Sequence, residues 1–320
     1  MRPVDHALAL APRGNVSEAV ALLTSAGSAG DVDALMQLAV WRLSGEIVPR
    51  DLVAARELLR RAAKIGHVDA ALMEIALTAN GSGGEADWPA AVALLRSAAT
   101  ADPVAAAQLR LLDAMELDAQ GNAAAPKGYR LSSAPSITRF PHLLSQSECE
   151  YLARLGSEVL EPATVIDPVT GRSVPHPVRT SDSGAVGPAR EDLVVRAVNK
   201  RLAAISGRDI ANGEPLTILR YRPGQQYRLH HDAIAGARNQ RTHTVLIYLN
   251  SGFTGGETHF PDLGITVRPV SGEAILFENL RANGLPDPRA RHAGLPVHTG
   301  AKWLATRWIR AQPVDPWTLR

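Results

Sequence analysis

The 320-residue sequence predicts two domains of different class, an N-terminal all-α repeat solenoid and a C-terminal domain built from short β-strands. The first part of the chain repeats itself at a spacing of 36 residues, whereas the second part holds short β-type runs separated by turn residues. The net charge also differs, at −5 over residues 1–126 and +7 over residues 127–320, which together give the +2 of the whole chain. Parts that differ in both periodicity and composition predict two architectures.

Composition excludes several classes of protein. Hydrophobic residues make up 45% and charged residues 21% of the chain, which is typical of a folded globular protein and not of a disordered one. No apolar run reaches the roughly 18–20 residues that a membrane-spanning helix needs. The basic excess of the second part is almost entirely arginine, without a lysine-rich tract. We therefore expect neither a nucleic acid nor a membrane as a partner.

The N-terminus and the cysteine content indicate a cellular compartment. Asp5 and His6 precede a very short apolar stretch, which makes a poor secretory signal. Cys149 is the single cysteine and cannot form a disulfide within the chain. We therefore expect a cytoplasmic location, where thiols stay reduced.

The repeats predict pairs of short helices. A shift of 36 residues places the pair Leu22-Leu23 on leucine pairs at 58–59 and 94–95. Helices are predicted over 34–44 and 51–66, where apolar and small residues recur at helical spacing. Asp51 is placed to cap the second of these at its start, and Gly66 to end it. This pattern resembles a Sel1-like, tetratricopeptide-related repeat, and the resemblance implies a helical solenoid over residues 14–118.

Two roles for the repeats remain open. They could act as a spacer or dimerisation scaffold, or their concave surface could bind a peptide or protein. Residues 119–128, which are small, polar and contain both proline and glycine, are predicted to be a linker.

The chain from residue 129 onward predicts a β domain with flanking helices. One helix is predicted over 143–156, with Ser145 and Glu148 placed for a capping box, and another over 191–207. The segment 164–190 is rich in proline, glycine and serine and is predicted to be a mobile lid. The many short strands predict a sandwich, jelly roll or barrel. They are expected at 136–140, 216–221, 242–250, 256–260, 265–270, 273–278, 292–297 and 303–310.

A candidate metal site lies in the segment YRPGQQYRLHHD, residues 221–232. His230 and Asp232 are two residues apart, so on a strand both side chains point to the same side. His292 is the best candidate for a third ligand. Two histidines and one carboxylate are typical of the Fe(II) site of non-haem oxygenases. A histidine and an aspartate two residues apart are common by chance, so the prediction depends on the motifs that accompany them.

Three further side chains suit a dicarboxylate bound beside such a metal. Lys302 is one of four lysines in the chain and lies ten residues after His292, where its ammonium could bind a carboxylate. Thr258 follows the tight turn Gly255-Gly256, and its hydroxyl could donate to a carboxylate. Tyr221 offers a phenol on the strand that leads into the metal site.

Together these motifs resemble the prolyl 4-hydroxylase-like branch of the Fe(II)/2-oxoglutarate dioxygenases. The segments YRPGQQYRLHHD, RTHTVLIYLN, GGETHFP and HAGLPVHTGAKWLATRWIR occur in the family's order and spacing within residues 136–311. The resemblance implies a double-stranded β-helix, or jelly roll, over residues 129–320. It also implies Fe(II), 2-oxoglutarate and O2 as cofactor and co-substrates, with ascorbate as reductant, and a hydroxylation that releases succinate and CO2.

The resemblance assigns roles to individual residues around the metal. It implies that the Fe(II) ligands are His230, Asp232 and His292. It implies that Lys302 binds the distal carboxylate of 2-oxoglutarate with the help of Tyr221 and Thr258, and that Trp308 lies beside the metal pocket.

Four further positions match residues that surround the peptide in family members acting on peptidyl proline. Tyr227 matches a tyrosine of the prolyl pocket, and Arg241 matches an arginine near the peptide. Glu214 matches a glutamate that bonds the peptide backbone, and Arg179 matches an arginine on a loop over the substrate. They favour prolyl residues of a peptide or protein, recruited by the repeats, as the substrate.

Two alternatives remain open at this stage. The chain could hydroxylate a free amino acid or small metabolite, with the repeats serving oligomerisation. It could also be a non-catalytic repeat adaptor or a sensor of 2-oxoglutarate.

Overall fold

A computed structural model describes residues 1–166, 173–175 and 178–318, and the chain divides into two compact units. Unit 1 comprises residues 1–121 with 188–196, and unit 2 comprises residues 122–187 with 197–320. The domain bounds given above, including the linker, stay a prediction.

Unit 1 is built from short helices joined by turns. Helices α2, α4 and α6 begin at residues 16, 52 and 88, which reproduces the 36-residue spacing of the sequence and confirms the predicted helical repeat. Helix α1 precedes the predicted start of the repeats. The helices are α1 Pro3–Leu10, α2 Val16–Ser28, α3 Val32–Ser44, α4 Leu52–Lys64, α5 Val68–Asn80, α6 Trp88–Ala98 and α7 Pro103–Asp113.

Capping residues fix where these helices start and end. The side chain of Asp51, as predicted, accepts a hydrogen bond from the backbone N–H of Ala54 at the start of α4. Gly45 and Gly81 follow α3 and α5 with φ of 73° and 79°, a left-handed conformation that favours glycine. The same aspartate cap recurs on α3, α6 and α7, at Asp31, Asp87 and Asp102.

The core of unit 1 repeats with the sequence. The second leucine of each repeated pair is fully buried, at Leu23, Leu59 and Leu95. Burial of a leucine side chain contributes about 1.5–3 kcal/mol, so these three positions stabilise successive layers of the stack. A buried ion pair, formed by Glu74 and Arg56, lies in the same unit. The carboxylate of Glu74 accepts hydrogen bonds from Arg56 at 2.7 Å and from Arg60 at 3.1 Å.

Unit 2 contains two main antiparallel sheets. The larger has the strand order β1-β2-β13-β9-β16-β7-β6-β3 and the smaller the order β12-β11-β14-β8. Their strands are β1 Tyr129–Ser133, β2 Ser136–Phe140, β3 Glu161–Pro162, β6 Asp182–Ala185, β7 Thr217–Tyr221, β8 Tyr227–His230, β9 Arg241–Tyr248, β11 Thr258–Phe260, β12 Ile265–Val267, β13 Ala274–Glu278, β14 His292–Gly294 and β16 Lys302–Arg310. Two further pairs join β4 Thr164–Ile166 to β5 Ser173–Pro175, and β10 Thr254–Gly255 to β15 Val297–Thr299.

The two main sheets share one hydrophobic core. Tyr248 and Phe277 of the larger sheet and Phe260 and Val267 of the smaller sheet belong to the same buried cluster. Two antiparallel sheets that enclose one core confirm the jelly-roll expectation. Each predicted strand has a counterpart in the structure, and the stretch 292–297 holds β14 and the first residue of β15. The strands that were not predicted are β1, β3, β4, β5, β6, β8 and β10.

Two helices accompany the sheets, α8 Gln146–Ser157 and α9 Leu193–Ser206. The capping box expected at the start of α8 is present, since the Ser145 hydroxyl accepts from the Glu148 backbone N–H and the Ser145 N–H donates to the Glu148 carboxylate. Arg201 of α9 donates two hydrogen bonds to the same carboxylate, at 3.0 and 3.1 Å. The predicted helix boundaries differ from these by three residues or fewer.

The segment 164–190, predicted to be a lid, contains β4, β5 and β6 among its described residues. Residues 167–172 and 176–177 of this segment lie outside the part of the chain that the structure describes. Over the described ranges, no helix has both the length and the apolar character to cross a membrane.

Candidate metal centre

The pairing of two strands brings the candidate metal ligands together. Strand β8 ends at His230, and β14 begins at His292, which lies directly opposite it in the ladder. The spacing led us to expect Asp232 on the same strand as His230. In the structure it lies two residues beyond the end of β8. The ligand-capable atoms of these three side chains nevertheless lie within 4.8 Å of one another, which in the described part of the chain is the one such cluster of histidine, cysteine and carboxylate groups.

Backbone carbonyls fix which nitrogen of each histidine faces the cluster. The Nδ1 atom of His230 is 2.8 Å from the carbonyl oxygen of Arg228, and that of His292 is 3.2 Å from the carbonyl oxygen of Ala290. Because a carbonyl can only accept, Nδ1 carries the hydrogen in both rings, and the lone pair is on Nε2. The Nε2 atoms lie 3.6 and 3.8 Å from oxygens of Asp232. Both imidazoles are therefore in the tautomer that binds a metal through Nε2.

The protonation states also suit a metal. Burial lowers the pKa of His292 to about 4, so its ring is neutral near pH 7. Burial alone would raise the pKa of Asp232, but His292, His230 and a hydrogen bond from Thr244 outweigh it and hold this pKa well below its usual value. The cluster therefore presents the neutral imidazole of His292 and the carboxylate of Asp232, with Nε2 of His230 beside them.

A cavity opens from this cluster toward the large sheet. Eight of the eleven predicted site residues line this cavity. The other three, Arg179, Glu214 and Arg241, are not among the lining residues. The lining comprises the predicted Tyr221, Tyr227, His230, Asp232, Thr258, His292, Lys302 and Trp308, together with Leu219, Leu246, Gly294, Leu304 and Thr306.

Lys302 places an ammonium group in this cavity. It lies opposite Tyr221 in the β16–β7 ladder, and its Nζ atom is 5.4 and 5.6 Å from the ring centres of Tyr221 and Tyr248. The ammonium donates a hydrogen bond of 2.7 Å to the carbonyl oxygen of Gly256. Only 2% of Lys302 is exposed, and this burial lowers its pKa to about 8, with Glu257 acting in the opposite direction. A buried cation with two remaining donor hydrogens is suited to a carboxylate.

The neighbouring glycine and threonine complete this end of the cavity. Gly256 has φ of 71°, and a Cβ there would lie 3.0 Å from the Lys302 Cδ atom, so glycine permits the close approach of the lysine. The hydroxyl of Tyr248 lies 2.8 Å from Thr258 Oγ1 and is its donor. The Thr258 hydroxyl is therefore free to donate its own hydrogen, as the sequence suggested.

Two buried polar atoms on strand β16 have no hydrogen-bond partner among the described residues. They are Thr306 Oγ1 and Trp308 Nε1, and both residues line the cavity. An unsatisfied buried polar group costs about 1–3 kcal/mol, so a ligand that bonds them would relieve this cost. Together with the cluster and Lys302, these atoms fit a site for a metal ion and a dicarboxylate.

Aromatic rings of the cavity lining contact several of the other predicted residues. Tyr227 stacks on the His230 ring, with centres 3.5 Å apart and planes at 10°, which holds the imidazole in place. Arg179 pairs with Tyr227 in an isolated bridge, and its guanidinium lies 5.8 Å from the tyrosine ring centre. Arg241 lies 4.0 Å from the ring centre of Trp308.

Glu214 lies between two arginines near the cavity. Its carboxylate is buried and accepts two hydrogen bonds of 2.7 Å from Arg241 and one of 2.7 Å from Arg310. The structure thus engages Glu214 with two arginines. In this arrangement the carboxylate holds Arg241 over the Trp308 ring.

Sequence reasoning missed four residues that contribute to the site: Tyr248, Thr244, Asn279 and Thr306. Thr306 lies on β16 four residues after Lys302 and two before Trp308, so strand periodicity could have identified it. Thr244 bonds Asp232 and Asn279 bonds Thr244, at 2.6 and 3.0 Å. No local motif marks Asn279, because its role depends on how β13 pairs with β9.

Comparison with known proteins finds several to which this chain is similar. The 2OG-Fe(II) oxygenase superfamily matches residues 216–310. Prolyl 4-hydroxylase 1 of Arabidopsis thaliana is 37% identical over 199 residues, which are 56% of this chain and 70% of the relative. A viral collagen prolyl hydroxylase of Paramecium bursaria Chlorella virus-1 is 28% identical, covering 55% of this chain and 96% of that one, with a TM-score of 0.45. A Sel1 repeat protein of Oxalobacter formigenes is 24% identical, covering 35% of this chain and 49% of that one, with a TM-score of 0.30.

Proposed function

The chain belongs to the prolyl 4-hydroxylase family of 2OG-Fe(II) oxygenases, and from this premise we propose that it hydroxylates prolyl residues of a peptide or protein. The observation that carries the proposal is the buried cluster of His230, Asp232 and His292, which shares one cavity with the ammonium of Lys302. We propose the first three as the Fe(II) ligands and Lys302 as the group that binds 2-oxoglutarate.

When bound, Fe(II) and 2-oxoglutarate supply the oxidation by O2 that converts a substrate C–H bond to C–OH and releases succinate and CO2. The protein itself holds and orients these groups. The Nε2 atoms of His230 and His292 and the Asp232 carboxylate would hold the metal. Lys302 and the Thr258 hydroxyl bind the distal carboxylate, and the Tyr221 ring lies beside the ammonium and excludes water from it.

Aromatic side chains support proline as the substrate residue. Tyr227 and Trp308 both line the cavity that contains the metal cluster, and Arg241, which is bonded to Glu214, lies over the Trp308 ring. Rings of this kind offer a flat apolar surface to a pyrrolidine ring. Ascorbate serves as the external reductant that keeps the iron in the Fe(II) state, as is usual for this family.

Succinate release separates the proposed substrate from its alternatives. The protein is supplied with Fe(II), 2-oxoglutarate and ascorbate, and with a proline-containing peptide, the same peptide with alanine in place of proline, or free proline. We expect one succinate per hydroxylated peptide and a mass increase of 16 Da on proline only. Turnover of free proline alone would favour the small-molecule alternative, and no turnover beyond the background without substrate would favour a sensor.

We also propose that the repeats recruit a protein substrate. A groove of about 270 Å³ lies between α2, α3 and α4 in unit 1, with apolar walls at Val20, Leu35 and Leu58 and charged groups at its rim. Glu57 is one of these groups and is exposed, so its charge can be reversed without disturbing the core. Glu57→Arg is expected to raise the KM for a protein substrate but not for a short peptide, whereas Glu85→Arg, which is exposed but outside the groove, leaves both unchanged. Equal KM values in all three proteins would contradict recruitment through this groove.

We also propose a cytoplasmic location for the chain. Cys149 is buried and unpaired, and burial raises its pKa to about 11, so it stays a thiol. This chemistry supports our proposal of a cytoplasmic location. Fractionation of the host cell with detection of the chain in the cytoplasmic fraction tests it.

A further inference from the structure

A chain of two hydrogen bonds extends from Asp232 into the large sheet. The Thr244 hydroxyl lies 2.6 Å from Asp232 Oδ2, and Asn279 Nδ2 lies 3.0 Å from Thr244 Oγ1. All three residues are buried, with exposed fractions of 4% for Asp232 and 0% for Thr244 and Asn279. Water is therefore excluded from this chain of bonds.

The chemistry of the groups fixes the direction of both bonds. The amide nitrogen of Asn279 can only donate, so the Thr244 oxygen accepts from it. Thr244 then has its single hydrogen left for Asp232 Oδ2, at a distance typical of a strong bond to a carboxylate. Were the amide of Asn279 reversed, Thr244 would face two acceptors with one hydrogen, so this orientation is the one that satisfies both contacts.

Backbone hydrogen bonds fix the position of Asn279, the residue farthest from Asp232 in this series of hydrogen bonds. Asn279 directly follows β13, its N–H donates to the carbonyl of Thr242 at 2.9 Å, and its carbonyl accepts from the N–H of Asp287 at 2.9 Å. Thr244 lies in the middle of β9, which is paired with β13 and β16 on its two sides. Both donors are thus fixed in position relative to the sheet, whereas Asp232 lies in the turn after β8, where no strand holds it.

The side chain of Asn279 lowers the stability of the folded protein. Its Oδ1 atom is buried and has no hydrogen-bond partner among the described residues. Such an acceptor costs about 1–3 kcal/mol, which an apolar side chain of similar size would avoid. Packing alone therefore does not account for an amide at this position.

We propose that Asn279 and Thr244 form a positioning relay that orients the Asp232 carboxylate toward the metal. The Thr244 hydroxyl bonds the Oδ2 atom of Asp232. The Oδ1 atom is thereby left to bind the ion. This inference rests on the proposed function for the identity of the metal site, but the relay acts on metal binding and not on the choice of substrate.

Metal affinity measures the relay directly. Mn(II), which does not oxidise readily in air, is titrated calorimetrically into the full-length apoprotein and its variants. Thr244→Val removes the hydroxyl without changing the shape of the side chain, and we expect the Kd for Mn(II) to rise about 10–100-fold, the usual effect of removing a group that orients a metal ligand. Thr244→Ser keeps a hydroxyl and should restore the affinity to within a few-fold of the wild type.

Combining two variants tests whether Asn279 acts through Thr244. Asn279→Leu alone is expected to weaken Mn(II) binding less than Thr244→Val, because the hydroxyl can still reach Asp232. The double variant should bind no more weakly than Thr244→Val. Thr242→Val is the matched control, since it makes the same change on the same strand and is expected to leave the Kd unchanged.

Several outcomes would overturn the relay. These are wild-type affinity in Thr244→Val, failure of Thr244→Ser to restore binding, an Asn279→Leu effect that adds fully to that of Thr244→Val, or altered thermal stability without altered Kd. Wild-type protein that binds no Mn(II) would overturn the metal centre and the relay with it. Protein that binds Mn(II) through the relay but hydroxylates no peptide would refute the proposed function and leave the relay intact.

Discussion

Replacing Lys302 with methionine should stabilise the apoprotein and abolish binding of 2-oxoglutarate. Burial lowers the pKa of Lys302 from 10.5 to about 8. At about 1.36 kcal/mol per pH unit, keeping this ammonium charged at pH 7 costs the folded state about 3 kcal/mol. Methionine has a similar length and no charge, so Lys302→Met removes that cost.

The variant also loses a hydrogen bond. Lys302 donates to the Gly256 carbonyl oxygen at 2.7 Å, and leaving this acceptor unpaired costs about 1–3 kcal/mol. The net expectation is a gain of up to about 2 kcal/mol in the free energy of unfolding. For a unit of this size, each kcal/mol shifts Tm by about 2–4 °C, so Tm should rise by up to about 8 °C.

Thermal melts at several pH values check this reasoning. Between pH 8 and 10.5 the unfolded lysine binds a proton that the folded one has lost, so wild-type stability should gain a contribution from Lys302 as pH rises across this range. Lys302→Met lacks that contribution, and Lys127→Met, which replaces an exposed lysine of the same unit, retains it. In the presence of Mn(II), 2-oxoglutarate should raise the Tm of the wild type and not that of Lys302→Met. A variant that melts below the wild type at pH 7, or that is still stabilised by 2-oxoglutarate, would refute the reasoning.

Three further predictions follow from the same contacts. The affinity of the Mn(II)-loaded protein for 2-oxoglutarate should fall as pH rises above about 8, because Lys302 loses the proton that attracts the carboxylate. Calorimetry at pH 7 and 9 checks this prediction, and equal affinities at the two pH values would contradict it. Glu214→Gln should lower the free energy of unfolding by about 3 kcal/mol and raise the KM for a peptide, because Arg241 loses its buried counter-ion, with Mn(II) affinity unchanged. Glu74→Gln should destabilise unit 1 by a similar amount, measured by thermal melting, while 2-oxoglutarate binding in unit 2 stays as in the wild type.

Much of the fold could be predicted from local patterns. The aspartate caps and the leucine pairs recur at 36 residues, and a cap or a buried leucine depends on neighbours within a few positions. The strands of unit 2 were predictable for the same reason, since alternation of buried and exposed residues is a local property. Strand β1 has little alternation and is largely exposed, so its sequence carries no such signal.

The site residues were predictable only where they belong to a sequence motif. His230, Asp232, His292 and Lys302 follow from spacing and from the family resemblance, and the structure gathers them in one cavity. The positions of Glu214 and Asn279 depend instead on contacts between segments far apart in the sequence. Glu214 meets Arg310 across 96 residues, and Asn279 meets Thr244 across 35. Such pairings are set by strand register, which the local pattern of either segment does not contain.

Mass spectrometry of a proline-containing peptide after reaction in 18O2 tests the central claim most directly. The protein is supplied with Fe(II), 2-oxoglutarate and ascorbate, and His292→Ala, which removes one proposed ligand, is run in parallel. The account predicts that wild-type protein adds 18 Da to proline in 18O2 and 16 Da in ordinary O2, and that His292→Ala adds neither. Hydroxylated proline from His292→Ala at the wild-type rate, or an oxygen derived from water, would contradict it.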